Sequence, residues 1–568
     1  PRPILLASPW GPDGPDPMPN MYLGLWGLAQ LPFAWALLRR NAPAPRVMIA
    51  DPMAETCAPL VNHERYSSVE VRVGTPAQSL NLVADTGSSH VIVTSCSCLL
   101  TGNCPPEFGR CFRGENGSST FLMQNKTYPK GDKQESGPAS LLIAFGSGPI
   151  GTYVASDVMH VGAVRTFLQD ALLLMVKQKM SFKGPFEGIL GLGPPSQEEP
   201  VPSFLEKAGV QRFSMCFNYE GDGVLGLNVA PAAAPLLGSV GRVHWGLDFR
   251  GVSVGGGGGV SFCDPGHKPS DRQTACGMIP DSGTTLINGP RAQVVQLFED
   301  ICAKWPRCID AHDALEKEMA RMSAKNVTLQ GPALLQRSAE RGLDLSSVVE
   351  RVMSVLAGTR SAARNHSLPD ASAHGARGPD TAVPRVRMSD TFQLLLQHCS
   401  QWIDQVNMDD ELPELVFHVA GGGGRTQELR LRPASYVLQA KMTVARPHME
   451  TLLGFLPLEV FRSRNENVCL PAFAPSDFRT KLNGDVWIMG TPLFYEYSVH
   501  YDRSGAQPAM AFTYAGDLAC GSCKGDSIVR DGPSLLSEGT SGPEGFSALR
   551  ELTALPVVRN LAGLDASI

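Results

Sequence analysis

Two short stretches of the chain have the make-up of a paired-acid site. Ala84-Asp85-Thr86-Gly87-Ser88-Ser89 and Pro280-Asp281-Ser282-Gly283-Thr284-Thr285 each set an Asp beside a hydroxyl residue and a Gly, after a mostly apolar run. One carboxylate alone is only a charge. Two carboxylates held about 3 Å apart cannot both ionise cheaply, so they share a proton and titrate as a pair. Asp85 and Asp281 are therefore the candidate catalytic residues. The ionised one takes a proton from water, and the protonated one gives a proton to a peptide carbonyl. The chemistry implied is peptide-bond hydrolysis.

The neighbouring residues suit that task. Gly87 and Gly283 allow tight turns and offer N–H groups to the acids. Ser88 and Thr284 each lie three positions after an Asp and carry hydroxyls for the outer carboxylate oxygens. Thr86 and Ser282 can bond across the two loops. A single Asp-Thr-Gly recurs by chance and reads as an ordinary turn or helix cap. Two of them, each followed later by an apolar-apolar-Gly turn, form a specific signal. No Ser-His-Asp or Cys-His spacing competes. The run Gly255–Gly259 is not followed by Lys-Ser/Thr, so it reads as a hairpin tip and not a phosphate loop. His90, beside the first motif, reads as a surface or specificity-wall residue.

The elements that must carry these motifs are strands. Tyr66 to Val73 alternates and closes on Gly74-Thr75-Pro76, and Leu80–Ala84 delivers Asp85 at its end. Leu141–Phe145, a Gly-Ser-Gly-Pro turn and Ile150–Val154 predict a hairpin. Phe186–Gly193 reads as an apolar, Gly-punctuated turn and Val201–Ala208 as a short amphipathic helix. The second half repeats this loosely. Ala292–Trp305 is helical, Leu415–Val419 and Glu428–Arg432 make a hairpin, and Val486–Gly490 is a second apolar turn. Tyr497–Asp502 and Pro508–Phe512 are late strands.

A chain of 568 residues exceeds one ordinary core, which predicts two large lobes. Gly 58 and Pro 45 favour a turn-rich β protein. A net charge of −6, with no basic stripe, argues against a nucleic-acid partner. The division expected is a leader over 1–64, a first lobe over 65–240, a second lobe over 241–525 and a polar tail over 526–568. Residues 21–38 are uncharged and mostly apolar, followed by Arg39-Arg40. They read as a secretory signal, an anchor or part of a propeptide. Within the second lobe, 310–390 reads as an insertion, with helical periodicity at Leu343–Leu356 and a disordered composition over Arg360–Pro384. A surface excursion is its plain reading and a partner-docking arm its sharper one.

Cysteines cluster where loops need stapling: Cys96, Cys98, Cys104 and Cys111 in one loop, Cys263 and Cys276 before the second Asp, Cys302 and Cys308 after it. That favours disulfides and an oxidising compartment. The rival reading of Cys96–Cys111 is a zinc site, although its spacing is irregular and no His accompanies it. Four Asn-x-Ser/Thr sequons, at Asn116, Asn125, Asn326 and Asn365, fit a secretory-pathway chain.

Over roughly residues 65–520, insertion excluded, the chain resembles the pepsin-like aspartic endopeptidases. The resemblance rests on Val73–Gln78, the two Asp motifs, Phe186–Gly193, Trp487–Gly490, Leu412–Phe417 and Ser435–Gln439. It implies a mainly β, bilobal fold with a cleft between the lobes, a β-hairpin flap, and catalysis by Asp85 and Asp281 without a cofactor or metal. It also implies polypeptide substrates and a monomer. Gly87, Gly283, Ser147 and Thr285 would hold the substrate backbone, with Ile92, Phe145 and Gly146 at the rim. Two bridges are implied, Cys263 with Cys276 and Cys399 with Cys469.

The chain also departs from the pattern. Phe145 stands where the family usually has Tyr and Ile92 where many members carry Trp. Losing both leaves no orphan donor. Pro280 removes a strand N–H before the second Asp. Glu187 replaces an Asp, and Thr491 stands where acid-active members carry one, which predicts a less acidic working range. The altered flap motivates the alternative of a non-catalytic peptide-binding protein. The two intact motifs argue for the enzyme.

Overall fold

The computed structural model describes residues 55–130, 133–180, 186–256, 262–324, 386–452, 456–516 and 520–529, apart from a few positions within them. The apolar stretch 21–38, the periodic segment 343–356, Asn326, Asn365, the end of the glycine run and the tail beyond 529 lie outside these residues.

The described fold is mainly β and bilobal. One sheet of fourteen strands carries the first Asp motif and a second of eight carries the other. Gln78–Asp85 pairs antiparallel with Ser67–Val73 and parallel with Gly188–Gly191, which sets Ile189, Leu190 and Gly191 opposite Val83, Ala84 and Asp85. Val91–Thr94 then runs antiparallel along Gly188–Gly191. The second sheet repeats the device. Cys276–Pro280 pairs parallel with Gly484–Met489, and Ile287–Gly289 meets the same strand through Asn288 and Ile488. Phe186–Gly193 and Val486–Gly490 read as turns in sequence, yet both hold strands. Every residue of Gly188–Gly191 is buried. A strand covered on both faces loses the alternation that would announce it.

The last strands return to the first lobe. Tyr497–Asp502 pairs with Arg212–Cys216 and with Ala509–Tyr514. Thr56–Asn62 lies between Gly223–Leu227 and Ser67–Val73 in the same sheet. A leader drawn to residue 64 therefore overlaps the folded body. Pro59 in mid-strand is what disguises this segment, since Pro argues against a strand. Buried Glu496 adds a polar tie by accepting from Tyr219, Ser435 and Arg432.

Helices Arg291–Lys304, Pro306–Ala324 and Met388–Gln397 pack together through Phe298 against Phe392 and Trp305 against Phe392 and Trp402. Both ends of the expected 310–390 insertion are thus ordered helix, while 325–385 lies outside the described residues. The short helix expected over Val201–Ala208 is confined to Phe204–Lys207.

All fourteen cysteines pair. Cys96–Cys111 and Cys98–Cys104 staple the loop after the first motif, which settles its reading as disulfides and not zinc. Cys263–Cys276, Cys302–Cys308 and Cys399–Cys469 lie in the second lobe. Cys57–Cys523 and Cys216–Cys520 fasten residues near the end of the described chain to the first lobe.

Candidate active site

The two Asp motifs meet at the seam between the sheets. Thr86 and Ser282 make four hydrogen bonds across the two loops there, two of them to each other. The Thr86 N–H donates to Ser282 Oγ and the Ser282 N–H to Thr86 Oγ1, each at 3.0 Å. The Thr86 hydroxyl donates to the Pro280 carbonyl at 2.9 Å, and the Ser282 hydroxyl to the Ala84 carbonyl at 2.7 Å. Each hydroxyl is fully used, and both side chains are buried.

This exchange also explains the tolerance of Pro280. Its carbonyl is what the site uses, and Asp281 N–H closes the strand ladder on Met489 O at 2.9 Å. A missing N–H at a strand end leaves little to satisfy.

Each acid is clamped alike. Gly87 N–H donates to Asp85 Oδ1 at 2.8 Å and Ser88 Oγ to Oδ2 at 2.5 Å. Gly283 N–H donates to Asp281 Oδ1 at 2.9 Å and Thr284 Oγ1 to Oδ2 at 2.7 Å. The glycines also permit the approach of the acids. A Cβ on Gly87 would lie 2.5 Å from the Asp281 carboxyl carbon, and one on Gly283 would lie 2.5 Å from Asp85 Oδ1. Asp85 is 7% exposed. Burial, and then the Asp281 carboxylate, push its carboxyl well above the ordinary range, while Ser88 and Gly87 pull it back by less.

A hairpin of Ser140–Phe145 and Gly148–Val161 turns at Gly146-Ser147. Val164–Gln178 backs it almost to its tip, with Gln178 opposite Ile150 and Lys179 N–H donating to Pro149 O at 3.0 Å. Phe145 packs against an apolar cluster of Tyr66, Ile92, Phe108, Met175 and Phe186. Ile92 is 0% exposed, so it forms the floor of that cluster and not a rim. The Thr285 hydroxyl donates to the Arg65 carbonyl at 2.6 Å, which commits it to the protein. Thr491 is buried and bonds the Thr284 and Thr285 carbonyls, each at 2.9 Å. It brings no carboxylate to the site.

Glu187 does more than a passive replacement would. Its Oε1 accepts from the Arg110 N–H and guanidinium at 3.0 Å, and its Oε2 from Asn81 N–H at 2.5 Å. It ties the stapled loop to the strand that ends at Asp85. His90, read from sequence as a surface or wall residue, is buried and pairs with Glu199 at 3.1 Å. One neighbour was not visible in the sequence: His244 Nδ1 lies 2.9 Å from the Gly87 carbonyl oxygen. It sits far from either motif in the chain, and no spacing signal marks it.

Comparison with known proteins agrees with this geometry. The family description eukaryotic aspartyl protease matches residues 66–205. Renin of Echis ocellatus is 26% identical over 257 residues, covering 42% of this chain and 58% of the renin. Cyprosin of Cynara cardunculus is 23% identical over 475 residues, 78% of this chain and 88% of cyprosin. Phytepsin of Hordeum vulgare is 30% identical over 251 residues, 41% of this chain and 44% of phytepsin. The chain thus spans about half the length of the renin and phytepsin it matches. By the family match over residues 66–205 and by its bilobal, β-rich fold, it resembles the pepsin-like aspartic proteases.

Proposed function

We propose that the protein is an aspartic endopeptidase in which Asp85 and Asp281 act as a singly protonated dyad. The observation that carries this reading is the mutual close approach of each motif's glycine to the other motif's carboxylate. Water between the acids loses one proton to the ionised carboxylate as its oxygen bonds the scissile carbonyl carbon. The protonated carboxyl gives its proton to the carbonyl oxygen. The tetrahedral intermediate then collapses, the C–N bond breaks, and the leaving nitrogen takes a proton from the dyad.

Around the acids, Thr86, Ser88, Ser282 and Thr284 hold the carboxylates and each other. Phe145, Gly146 and Ser147 on the hairpin, with the backbones of Gly87, Gly283 and Thr285, grip an extended polypeptide. Ile92 shapes the apolar floor from beneath. The seven disulfides support a secretory-pathway location. Among the described residues no helix is long and apolar enough to cross a membrane. We read residues 21–38 as a candidate membrane anchor, and the protein is expected to act as a monomer.

The test is cleavage of a mixed peptide library from pH 3 to 8, with and without the transition-state mimic pepstatin. Pepstatin-sensitive cleavage that Asp281→Ala abolishes is expected. Absence of cleavage throughout, with wild type and Asp281→Ala alike, would falsify the enzyme and leave a peptide-binding protein.

A further inference from the structure

Three cationic side chains line up across three neighbouring strands of the first lobe. Arg72 on Ser67–Val73 pairs directly with His160 on Gly148–Val161, and His160 pairs with Arg165 on Val164–Gln178. Residues directly opposite in antiparallel strands share a face of the sheet, so the three stand side by side. Strand spacing sets the outer two about 10 Å apart at their Cα atoms. Arg72 is exposed, and His160 and Arg165 are half-buried. The row lies away from the acid pair. Arg72 is opposite Ser79, at the other end of the strand that delivers Asp85, about 20 Å along the extended chain.

Like charges set directly opposite one another destabilise a sheet. Among the described residues no acid relieves these. Arg72 Nη2 reaches only the Gly162 carbonyl, at 3.5 Å, and Arg165 Nε is buried without a hydrogen-bond partner. Glu70 shares the exposed face of Arg72, two residues earlier, yet makes no ion pair with it. Ser79, opposite Arg72 on the other side, is uncharged. Burial, and then the Arg72 and Arg165 guanidiniums, hold the His160 imidazole below its ordinary value, and no carboxylate counters them.

An oxyanion fits this arrangement. Guanidinium forks bind phosphate-like oxygens through paired N–H bonds. A carboxylate has two oxygens, which one fork occupies. A tetrahedral group has further oxygens to offer a second fork and an imidazole N–H between them.

We propose that Arg72, His160 and Arg165 form a binding site for a tetrahedral oxyanion, a phosphate or sulfate group, on the first lobe away from the acid pair. The anion's charge favours protonated His160, so affinity rises as pH falls. Binding is read without cleavage, so the site stands or falls apart from the peptidase reading.

Sulfate is the probe, because it keeps its double charge from pH 5 to 8, whereas a phosphate ester titrates near about pH 6. Calorimetric titration of the intact protein with sodium sulfate, at an ionic strength held constant with chloride, should show saturable binding. Arg72→Gln and Arg165→Gln should each weaken it about tenfold, the worth of one charge-assisted hydrogen bond, and the double variant should abolish it. Wild-type affinity should be about three- to tenfold higher at pH 5 than at pH 8, and His160→Gln should remove that difference. No saturable binding at pH 5, binding unchanged in the double variant, or a pH dependence that survives His160→Gln would each overturn the proposal. Arg72→Glu, at the exposed end of the row, keeps the test independent of half-buried Arg165: wild-type binding in that folded variant overturns it too. At pH 8, where both are dianions, inorganic phosphate against methyl phosphate separates a free ion from an esterified group, and saturable binding of either supports the site.

Discussion

Gly87 faces the Asp281 carboxylate so closely that a Cβ on the glycine would stand 2.5 Å from the carboxyl carbon. Gly283 stands in the same relation to Asp85. Each motif therefore supplies an acid and also the empty space that lets the other acid approach.

Filling either space should be severe. Gly87→Ala and Gly283→Ala are expected to push the carboxylates apart and lower kcat/KM by about a hundredfold, the usual scale for a misplacement near 1 Å. Steady-state kinetics on folded variants checks this. An alanine variant with wild-type kcat/KM would mean that the acids do not work as a close pair.

Thr86→Val keeps the shape but removes a hydroxyl that both donates to Pro280 O and accepts from Ser282 N–H. A buried N–H and carbonyl lose their partner, which costs about 1–3 kcal/mol. Denaturant unfolding should register that loss. Thr86→Ser, which retains the hydroxyl, should recover most of it.

The Asp85 carboxyl is pushed upward by burial and then by Asp281. The folded state therefore holds its proton more tightly than the unfolded chain does. The stability this contributes is complete below the unfolded value near pH 4 and is lost as pH rises through the raised folded value. Asp85→Asn should accordingly add more unfolding free energy at pH 7 than at pH 4, on the order of 1–3 kcal/mol at neutral pH, read as a larger rise in melting temperature there. An equal effect at both pH values would contradict this. The same shift keeps one proton on the dyad at higher pH, and Thr491 adds no further carboxylate. A pH–rate optimum less acidic than that of gastric enzymes is expected.

Asn116 and Asn125 are both exposed, at the end of a short 3-10 helix and at a strand start, each followed by a hydroxyl residue two positions on. If the chain passes through the secretory pathway, both should carry N-glycans. Enzymatic deglycosylation of protein from a eukaryotic host would then shift its mass, and Asn116→Gln with Asn125→Gln would abolish the shift.

The pair of Asp motifs was legible because hydroxyl and glycine positions repeat within each loop, and the hairpin because Leu141–Phe145 is followed by its turn residues. What stayed hidden was hidden for physical reasons. Gly188–Gly191 is buried on both faces and shows no period. Thr56–Asn62 carries a mid-strand proline. His244 reaches Gly87 only through the tertiary fold, and Cys57 and Cys216 find Cys523 and Cys520 across most of the chain. Contacts between distant segments leave no local pattern to read.

Those two long-range disulfides decide what a cut between residues 325 and 385 would do. Cys57 and Cys216 lie before that segment, and Cys523 and Cys520 after it. A protease that nicked it would make two polypeptides, with both acid loops on the first, yet the pieces would stay covalently joined. Such a nicked form would migrate as one species until reduced and then as two.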